Sequence, residues 1–304
     1  MHLQPSAPCW GIDLGGTKLE GVVLGPEGRP LSRIRIPTER DRGYAHILDR
    51  IGLLISRMAE ETGLRPAALG VGTPGALDPD SGTLKNSNTT CLIGQPLSRD
   101  LEARLGVPVT LMNDANCFAL AEARLGAGRE VQGESIFGII LGTGVGGGIV
   151  TGGRVLNGRH SIAGEWGHNF LDESGGPCYC GRTGCVETVL SGPALEGWYA
   201  ARSGLRRPLA EIYQRFRAGQ DADAAATMER LVQNFGKALG PVINLLDPAA
   251  VIVGGGVGNI GLLYTEGVRE TARYVFNPRM ETQILSPRLG DSAGVFGAAM
   301  LVQA

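Results

Sequence analysis

Aromatic residues, excess charge and long uninterrupted hydrophobic runs are all scarce in this sequence. Only 5% of the 304 residues are aromatic, and the formal net charge is −2. A nearly balanced charge argues against a surface made to bind nucleic acid or an anionic membrane. The longest apolar run, residues 136–150, is interrupted by six glycines and is too short to cross a bilayer. Residues 1–9 have neither a basic start nor an apolar core, which argues against a signal peptide. We therefore predict a cytoplasmic protein with no nucleic-acid or membrane partner.

In contrast to aromatic residues, glycine is abundant in this sequence. The chain has 48 glycines without the period of collagen, which indicates many tight turns and close approaches of backbone to a ligand. A chain of 304 residues is long enough for one large domain or two ordinary ones.

Hydrophobic periodicity predicts an α/β protein. Strands are predicted at 9–14, 19–24, 31–36, 69–71, 107–112, 137–141, 147–150, 250–253 and 284–285. Helices are predicted at 44–61, 97–105, 115–125, 194–202, 222–246, 262–275 and 293–301.

The beginning of this pattern occurs twice. Residues 10–17 and 137–144 both read as an apolar strand, a Gly/Thr-rich turn and a returning strand. Two related α/β domains facing each other across a cleft are therefore expected. We predict a small domain from residues 1–114 plus 288–304, and a larger domain from 115–287.

Three glycine-rich segments are candidates for nucleotide binding. They are Asp13, Gly15, Gly16, Thr17 and Lys18; Thr143 and Gly144; and Gly254, Gly255 and Gly256. The first two fit hairpin turns whose N–H groups and Thr hydroxyls can hold phosphate, and neither matches a Walker or Rossmann pattern. Asp13 could orient hydrated Mg²⁺, and Lys18 could contact phosphate. The alternative for each segment is that its glycines only shape a turn.

Asn113 and Asp114 end a strand and begin a helix. They could simply cap that helix. Asp114 could also lie in the cleft and accept the proton of a substrate hydroxyl, and a helix N-terminus would keep its carboxylate ionised. The two roles are compatible.

Half of the six cysteines fall within eight residues. Cys178, Cys180 and Cys185, with His168 ten positions upstream, supply three thiolates and one imidazole, a complete tetrahedral set for Zn²⁺. Three free cysteines in an ordinary loop are the alternative. Four protein ligands leave no open position, so we predict a structural zinc.

Zinc at this position would place two carboxylates beside an imidazole. His168 can bind metal through only one ring nitrogen, so the other nitrogen must face a partner or a ligand. Glu165 and Glu187 flank the predicted ligands, and carboxylates accept hydrogen bonds from neighbouring hydroxyls. This set could bind a polyhydroxylated molecule, although surface acids are usually just solvated.

Taken together, these motifs resemble those of the ROK family (repressor, open reading frame, kinase). The resemblance covers almost the whole chain and rests on residues 13–18, 113–116, 141–148, 164–168 and 178–185. It implies a two-domain actin/hexokinase-like (ribonuclease H-like) fold with a central cleft. It also implies ATP- and Mg²⁺-dependent phosphorylation of a hexose at its 6-hydroxyl, a structural Zn²⁺ and a homodimer.

The resemblance also assigns residue roles. Asp114 would be the general base, and His168, Cys178, Cys180 and Cys185 would hold zinc. The sugar-binding residues would be Gly75, Asn88, Asn113, Asp114, Glu165, His168 and Glu187.

Within the family, residues 85–90, 94–97, 165–169 and 177–180 are most similar to bacterial fructokinases with mannokinase activity. Fructose is therefore the first predicted substrate, although Cys91 stands where many fructokinase-like members have an aromatic residue. N-acetylglucosamine kinases, which share 113–120 and 140–148, and glucokinases are the alternatives. A sugar-sensing transcription regulator is an alternative of another class. It is disfavoured because only eight residues precede Cys9 and no basic recognition helix is evident.

Overall fold

The computed structural model describes residues 7–303, and the chain divides into two compact units. One unit comprises the residues up to Gly126, the segment Arg154–Ala163 and the residues from Leu289 onward. The other comprises Ala127–Gly153 and Gly164–Arg288. Each unit has its own hydrophobic core.

The elements are numbered here in chain order. The strands are β1 (Cys9–Leu14), β2 (Lys18–Leu24), β3 (Pro30–Pro37), β4 (Leu69–Thr73), β5 (Ala76–Leu77), β6 (Leu84–Lys85), β7 (Val109–Asn113), β8 (Ser135–Leu141), β9 (Val145–Thr151), β10 (Arg154–Val155), β11 (Ala250–Gly254) and β12 (Gln283–Leu285). The helices are α1 (Tyr44–Thr62), α2 (Leu97–Leu105), α3 (Asp114–Arg124), α4 (Val186–Leu190), α5 (Gly192–Ser203), α6 (Leu209–Arg217), α7 (Ala222–Leu246), α8 (Glu266–Ala272) and α9 (Ala293–Met300).

The first unit is built on a five-stranded sheet in the order β3-β2-β1-β4-β7. β1 and β2 form an antiparallel hairpin. β4 runs parallel to β1, and β7 runs parallel to β4. β1 and β4 are almost fully buried, as expected for central strands covered on both faces. α1 packs against β2 and β3, and α9 packs against β1 and β4.

Glycines let α9 approach the sheet and α3 closely. A Cβ atom on Gly11 or Gly70 would overlap the backbone of Ala299 or Ala298. A Cβ on Gly297 would overlap the carbonyl of Cys117 in α3. α3 is consequently buried along most of its length.

The second unit repeats the hairpin arrangement. Its strands lie in the order β9-β8-β11-β12, with β8 and β9 antiparallel and β8, β11 and β12 parallel. The 25-residue α7 contacts α5, α6 and α8. Asp221 caps α7 by accepting hydrogen bonds from the backbone N–H groups of Asp223 and Ala224. Phe137, Tyr199 and Phe235 are the largest fully buried side chains of this core.

The predicted α/β class is confirmed, and most predicted elements are present. One predicted helix, 262–275, is wrong in length: only α8 is α-helical, and a 3₁₀ turn (Gly261–Tyr264) precedes it. Thr265, at φ −124° and ψ −82°, lies outside the helical region and separates the two. α6 was not predicted. The predicted domain boundaries remain a prediction. In the structure α3 groups with the first unit, because it packs on α9.

Among residues 7–303, no helix combines the length and the apolar character that crossing a membrane requires.

Candidate active site

The first glycine turn (residues 15–18) joins β1 to β2. The N–H of Gly15 donates to the carbonyl of Lys18 at 3.0 Å, which closes the hairpin. Thr38, just after β3, fixes the turn from the side: its hydroxyl donates to the carbonyl of Gly15 at 2.7 Å and its N–H to that of Thr17 at 3.0 Å. Thr17 and Lys18 are exposed. The turn is therefore rigid and presents its tip to solvent.

Asp13 immediately precedes this turn, and its carboxyl is difficult to ionise. Burial, together with the negative charges of Asp114 and Glu20, raises the pKa of Asp13 to about 7, despite the opposing charges of Lys18 and Arg35. The mutual influence of Asp13 and Asp114 shows that the structure brings these two predicted site residues together.

Glu20 supplies part of that negative charge because it stays ionised. Burial alone would raise the pKa of Glu20, but hydrogen bonds from Arg35, Arg33 and Ser292 lower it. Arg33 Nε lies 2.6 Å from one Glu20 oxygen and Arg35 Nη2 lies 2.6 Å from the other. The buried carboxylate is thus paired and its charge is permanent near neutral pH.

Asn113 connects the beginning of α3 to the segment after β4. Its side-chain oxygen accepts from the N–H of Ala115 at 2.9 Å, and its amide donates to the carbonyl of Gly75 at 3.1 Å. The N–H of Ala115 also donates to Asp114 at 2.8 Å. The first N–H of α3 thus donates to both side chains, and the ionised state predicted for Asp114 remains a prediction. The hydrogen bond from the Asn113 amide to the Gly75 carbonyl holds both residues in place.

Gly75 has a conformation that only glycine adopts readily. Its φ is +88°, and a Cβ atom there would overlap the backbone of Lys85 and press on that of Ser87. Asn88, further along the same segment, is exposed, and Thr89 donates to its side-chain oxygen at 3.5 Å. The predicted sugar-binding residues Gly75, Asn88 and Asn113 thus lie on the first unit.

The second glycine turn (residues 142–144) joins β8 to β9 and is tied to Glu187. The N–H of Gly142 donates to Gly144 at 2.9 Å, and Glu187 accepts from the N–H of Val145 at 2.8 Å. A Cβ on Gly144 would lie 2.7 Å from the same carboxylate oxygen of Glu187, so a larger residue would displace that side chain. Thr143 is exposed at the tip.

The third glycine segment (residues 254–256) shows a structural role for one member. Gly255 has φ +83°, and a Cβ there would overlap the backbone of Leu141 in β8. Gly254 ends β11, and Gly256 has open space where a Cβ would lie. Gly255 is therefore required by packing, and the predicted nucleotide contact of this segment remains a prediction.

The four predicted metal ligands converge to form the Cys/His cluster (His168, Cys178, Cys180 and Cys185). Their ligand atoms lie within 4.8 Å of one another. Cys178 Sγ is 3.5 Å from His168 Nδ1, and Cys180 Sγ is 3.6 Å from Cys185 Sγ. Tetrahedral zinc with bonds of about 2.0–2.3 Å places its ligand atoms roughly 3.3–3.8 Å apart, so the donor set and spacing both fit this ion.

The second nitrogen of His168 points away from the sulfur atoms. Nε2 lies 2.9 Å from the hydroxyl of Tyr179, and the two rings meet edge to face at 5.0 Å. Tyr179 is 77% exposed, so this contact lies at the surface of the second unit. The prediction that one ring nitrogen faces the ligands and the other faces a partner agrees with this geometry.

Glu165 and Glu187 are close enough to influence each other. Burial raises the pKa of Glu165, His168 opposes this shift, and the charge of Glu187 adds to it. Glu165 precedes a 3₁₀ turn (Trp166–His168) rather than the full helical turn expected from its spacing. Two carboxylates and an imidazole nevertheless face one small region, which can accept hydrogen bonds from several hydroxyls.

Tyr179, Thr38 and Arg40 lie beside the predicted site residues but belong to none of the predicted motifs; Arg40 Nη1 lies 3.0 Å from the position of a Cβ atom on Gly16. Tyr179 could have been found, since it lies between two predicted metal ligands. Thr38 and Arg40 are far along the chain from the first glycine turn, and no local pattern connects them to it.

The comparisons with known proteins decide the family. The profile of the ROK family matches residues 9–304. The chain belongs to the ROK family. The N-acetyl-D-glucosamine kinase of Vibrio vulnificus strain YJ016 is 36% identical over 303 residues, which cover 96% of this chain and 98% of that protein.

Two solved ROK structures share the fold over nearly the whole length. The ROK hexokinase of Thermus thermophilus is 34% identical, covers 97% of both chains and superposes with a TM-score of 0.86. A ROK glucokinase of Streptomyces griseus, solved with glucose and AMPPNP, is 31% identical with a TM-score of 0.79, over 97% of this chain and 99% of that one. The predicted actin/hexokinase-like fold and the prediction of a ROK-family sugar kinase are confirmed at that level.

Proposed function

We propose that this ROK protein transfers the γ-phosphoryl group of ATP to the 6-hydroxyl of N-acetyl-D-glucosamine. The observation that carries the proposal is the full-length similarity to kinases named for that sugar. The sequence motifs favoured fructose first and N-acetylglucosamine as an alternative, and these relatives support the alternative. Hexokinase and glucokinase neighbours support a pyranose substrate in general.

Asp114 is the proposed general base. As O6 of the sugar forms its bond to the γ-phosphorus, the bond from that phosphorus to the β,γ-bridging oxygen breaks, and Asp114 takes the O6 proton. The N-terminus of α3 and the N–H of Ala115 stabilise the ionised carboxylate before it accepts the proton. A positioned base of this kind contributes about 10²–10⁴-fold to the rate.

The two glycine turns are proposed to bind the nucleotide phosphates. Thr17, Lys18 and Thr143 expose a cation and two hydroxyls at the tips of the turns. Asp13 would hold Mg²⁺, which neutralises phosphate charge when bound. Burial and the charges of Asp114 and Glu20 raise the pKa of Asp13, and a bound cation would favour the charged form of its carboxylate.

Glu165, Glu187 and His168 of the second unit are proposed sugar-binding residues. Asn88, Asn113 and Gly75 of the first unit are proposed for the same role from the family resemblance. Zinc would be held by the Cys/His cluster and would supply rigidity, since four protein ligands leave no site for reaction. The carboxylates accept hydrogen bonds from sugar hydroxyls, and His168 Nε2 donates one.

The test is coupled ADP release with Mg-ATP across N-acetylglucosamine, N-acetylmannosamine, fructose, mannose and glucose. Preference for N-acetylglucosamine in kcat/KM supports the proposal. Preference for fructose, with weaker mannose turnover, would return the assignment to the fructokinase-like motifs at 85–90, 94–97, 165–169 and 177–180. No turnover on any sugar would overturn the proposed kinase.

The assignment of the base has its own test. Asp114→Asn should still bind sugar and lose about 10²–10⁴-fold in kcat, because the amide cannot accept the proton. Asp49→Asn is the matched control, since Asp49 lies on α1 in an exposed ion pair with Arg104. Near-normal kcat in Asp114→Asn would show that another group is the base.

A further inference from the structure

An arginine from a distant segment lies against the first glycine turn. Arg40 begins a 3₁₀ turn (Arg40–Arg42) that follows β3. Its Nη1 lies 3.0 Å from the position that a Cβ atom on Gly16 would occupy, and Thr89 Oγ1 lies 3.6 Å from the same point. The absence of a side chain on Gly16 therefore makes room for the guanidinium and the hydroxyl beside the turn.

The backbone before Arg40 is held in an uncommon conformation. Glu39 has φ +53°, in the left-handed region that residues other than glycine rarely adopt. Its carboxylate lies 2.7 Å from His46 Nε2, 3.3 Å from Arg42 and 3.9 Å from Arg50. These contacts keep the left-handed bend, and the bend fixes the position from which Arg40 extends.

Both sides of Arg40 are tied to the site. The preceding Thr38 is hydrogen bonded to the first glycine turn, as described above. On the other side, Cys91 Sγ lies 3.9 Å from the carbonyl oxygen of Arg40, within the segment that carries Asn88. Cys91 is the position where the sequence departs from fructokinase-like members, and its small side chain packs beside this arginine.

The guanidinium of Arg40 has little charge compensation among the residues described. Arg40 Nε pairs with Asp41 at 4.0 Å, the limit of such a contact, and the side chain of Asp41 is fully exposed. The neighbouring carboxylate of Glu39 already contacts Arg42, Arg50 and His46. Arg40 itself is 46% exposed, so its planar set of donors is open to an oxyanion.

We propose that Arg40 is a phosphate-binding residue, whose guanidinium donates hydrogen bonds to the oxygens of a phosphoryl group lying at the first glycine turn. This inference rests on the proposed kinase function and extends it to a residue outside the motifs. Arg40 and Lys18 then supply two positive charges at the first glycine turn, which attract the negatively charged phosphate. The phosphoryl group can be the γ-phosphate of ATP or the phosphate of the sugar product.

The experiment compares Arg40→Ala and Arg40→Lys with Arg57→Ala. Arg57 is exposed on α1 of the same unit, so its substitution changes the net charge equally without touching the turn. Arg40→Ala should lose about 10–100-fold in kcat/KM for ATP, Arg40→Lys should recover part of this, and Arg57→Ala should match the parent protein. The affinity for N-acetylglucosamine alone should be unchanged.

Two further measurements separate the sources of the phosphate. If Arg40 binds the γ-phosphate, Arg40→Ala should weaken calorimetric binding of Mg-ATP and leave ADP binding unchanged. If it binds the product, the inhibition constant of N-acetylglucosamine 6-phosphate should rise instead. Equal values for Arg40→Ala and Arg57→Ala in all these measurements would overturn the proposal.

Failure of the proposed function would be distinguishable. A parent protein without turnover on any sugar would reject the kinase, while the difference between Mg-ATP and ADP binding would still test Arg40. If Arg40→Ala does not fold, as judged by its thermal transition, Arg40→Lys and Arg40→Gln decide, because both keep the length of the side chain.

Discussion

Asp13 holds its proton at a pH where most carboxyls have lost theirs. Its pKa of about 7 exceeds the ordinary value of 3.8, so ionisation costs the folded state more than the unfolded state. The stability of the protein should therefore fall as pH rises from about 4 to about 7, and this loss should be complete above that range.

Asp13→Asn removes this cost. In metal-free buffer the variant should be more stable than the parent protein at pH 8, by on the order of 2–4 kcal/mol, and the gain should shrink towards pH 4. Urea unfolding at the two pH values measures this, with Asp49→Asn as the control. A gain that does not depend on pH would contradict the raised pKa. Turnover with Mg-ATP should be lost in the same variant.

The hydroxyl of Tyr179 occupies the His168 nitrogen that a sugar hydroxyl would use. Tyr179→Phe removes that competing contact and keeps the ring, so N-acetylglucosamine should bind about 2–10-fold more tightly, in keeping with a net hydrogen bond of roughly 0.5–1.5 kcal/mol. Calorimetry without nucleotide measures the affinity. Tyr274→Phe, at a surface position on the same unit, is the control. Weaker sugar binding in Tyr179→Phe would show that the hydroxyl contacts the sugar instead.

Local spacing explains which site residues the sequence could predict. Cys178, Cys180 and Cys185 are so close in the chain that their convergence follows from the turns between them, and His168 joins through one short segment. Arg40 reaches Gly16 only because β3 pairs with β2 and Glu39 bends the chain, and such a contact depends on tertiary structure. The roles of the predicted site residues remain proposals.

At the scale of elements, α2 was predicted and α6 was missed, although each has nine residues. α2 and α7 begin and end at the predicted residues, since strong periodicity coincides with Gly106 as the stop of α2 and Asp221 as the cap of α7. α6 was missed, although Leu209, Ile212 and Phe216 follow Pro208 at helical spacing. The predicted helix at 262–275 was too long because periodicity continues across Thr265 while the backbone does not.

The close packing of α9 against α3 predicts that Gly297 cannot be replaced without cost, in contrast to an unhindered glycine in α5. Gly297→Ala places a methyl group against the carbonyl of Cys117 and should destabilise the protein by about 1–3 kcal/mol or more. Gly197→Ala is the matched change: Gly197 lies in α5 with open space at its Cβ position, so alanine should stabilise by about 0.5–1 kcal/mol. Chemical denaturation of both variants gives the two signs. Stabilisation by Gly297→Ala would show that α3 and α9 can separate at little cost.

At the scale of the whole molecule, the Cys/His cluster predicts one zinc per chain. Removing it with a chelator should lower the melting temperature and weaken sugar binding by roughly 10-fold or more, because His168 and the loop that carries Tyr179 lose their support. Elemental analysis and calorimetry before and after chelation measure both effects. Cys91→Ser should retain zinc, whereas Cys180→Ser should lose it. Purified protein that has no zinc and gains no stability from added Zn²⁺ would contradict the site.

The sequence predicted only part of the way in which the chain divides into two units. The two similar stretches at 10–17 and 137–144 correctly indicated two sheets that each begin with a hairpin. The association of α9 with the first sheet depends on matching small residues in distant segments, such as Gly11 with Ala299 and Gly70 with Ala298. The predicted homodimer remains a prediction.

The discontinuous make-up of the first unit has a consequence for protein synthesis. Its sheet is made of the earliest residues, but α9, which covers β1 and β4, belongs to the segment from Leu289 onward. On the ribosome, the second unit is translated before that helix. Chains leave the ribosome from the N-terminus and domains generally fold as units. The face of the first sheet that α9 covers therefore stays uncovered until translation has passed α9.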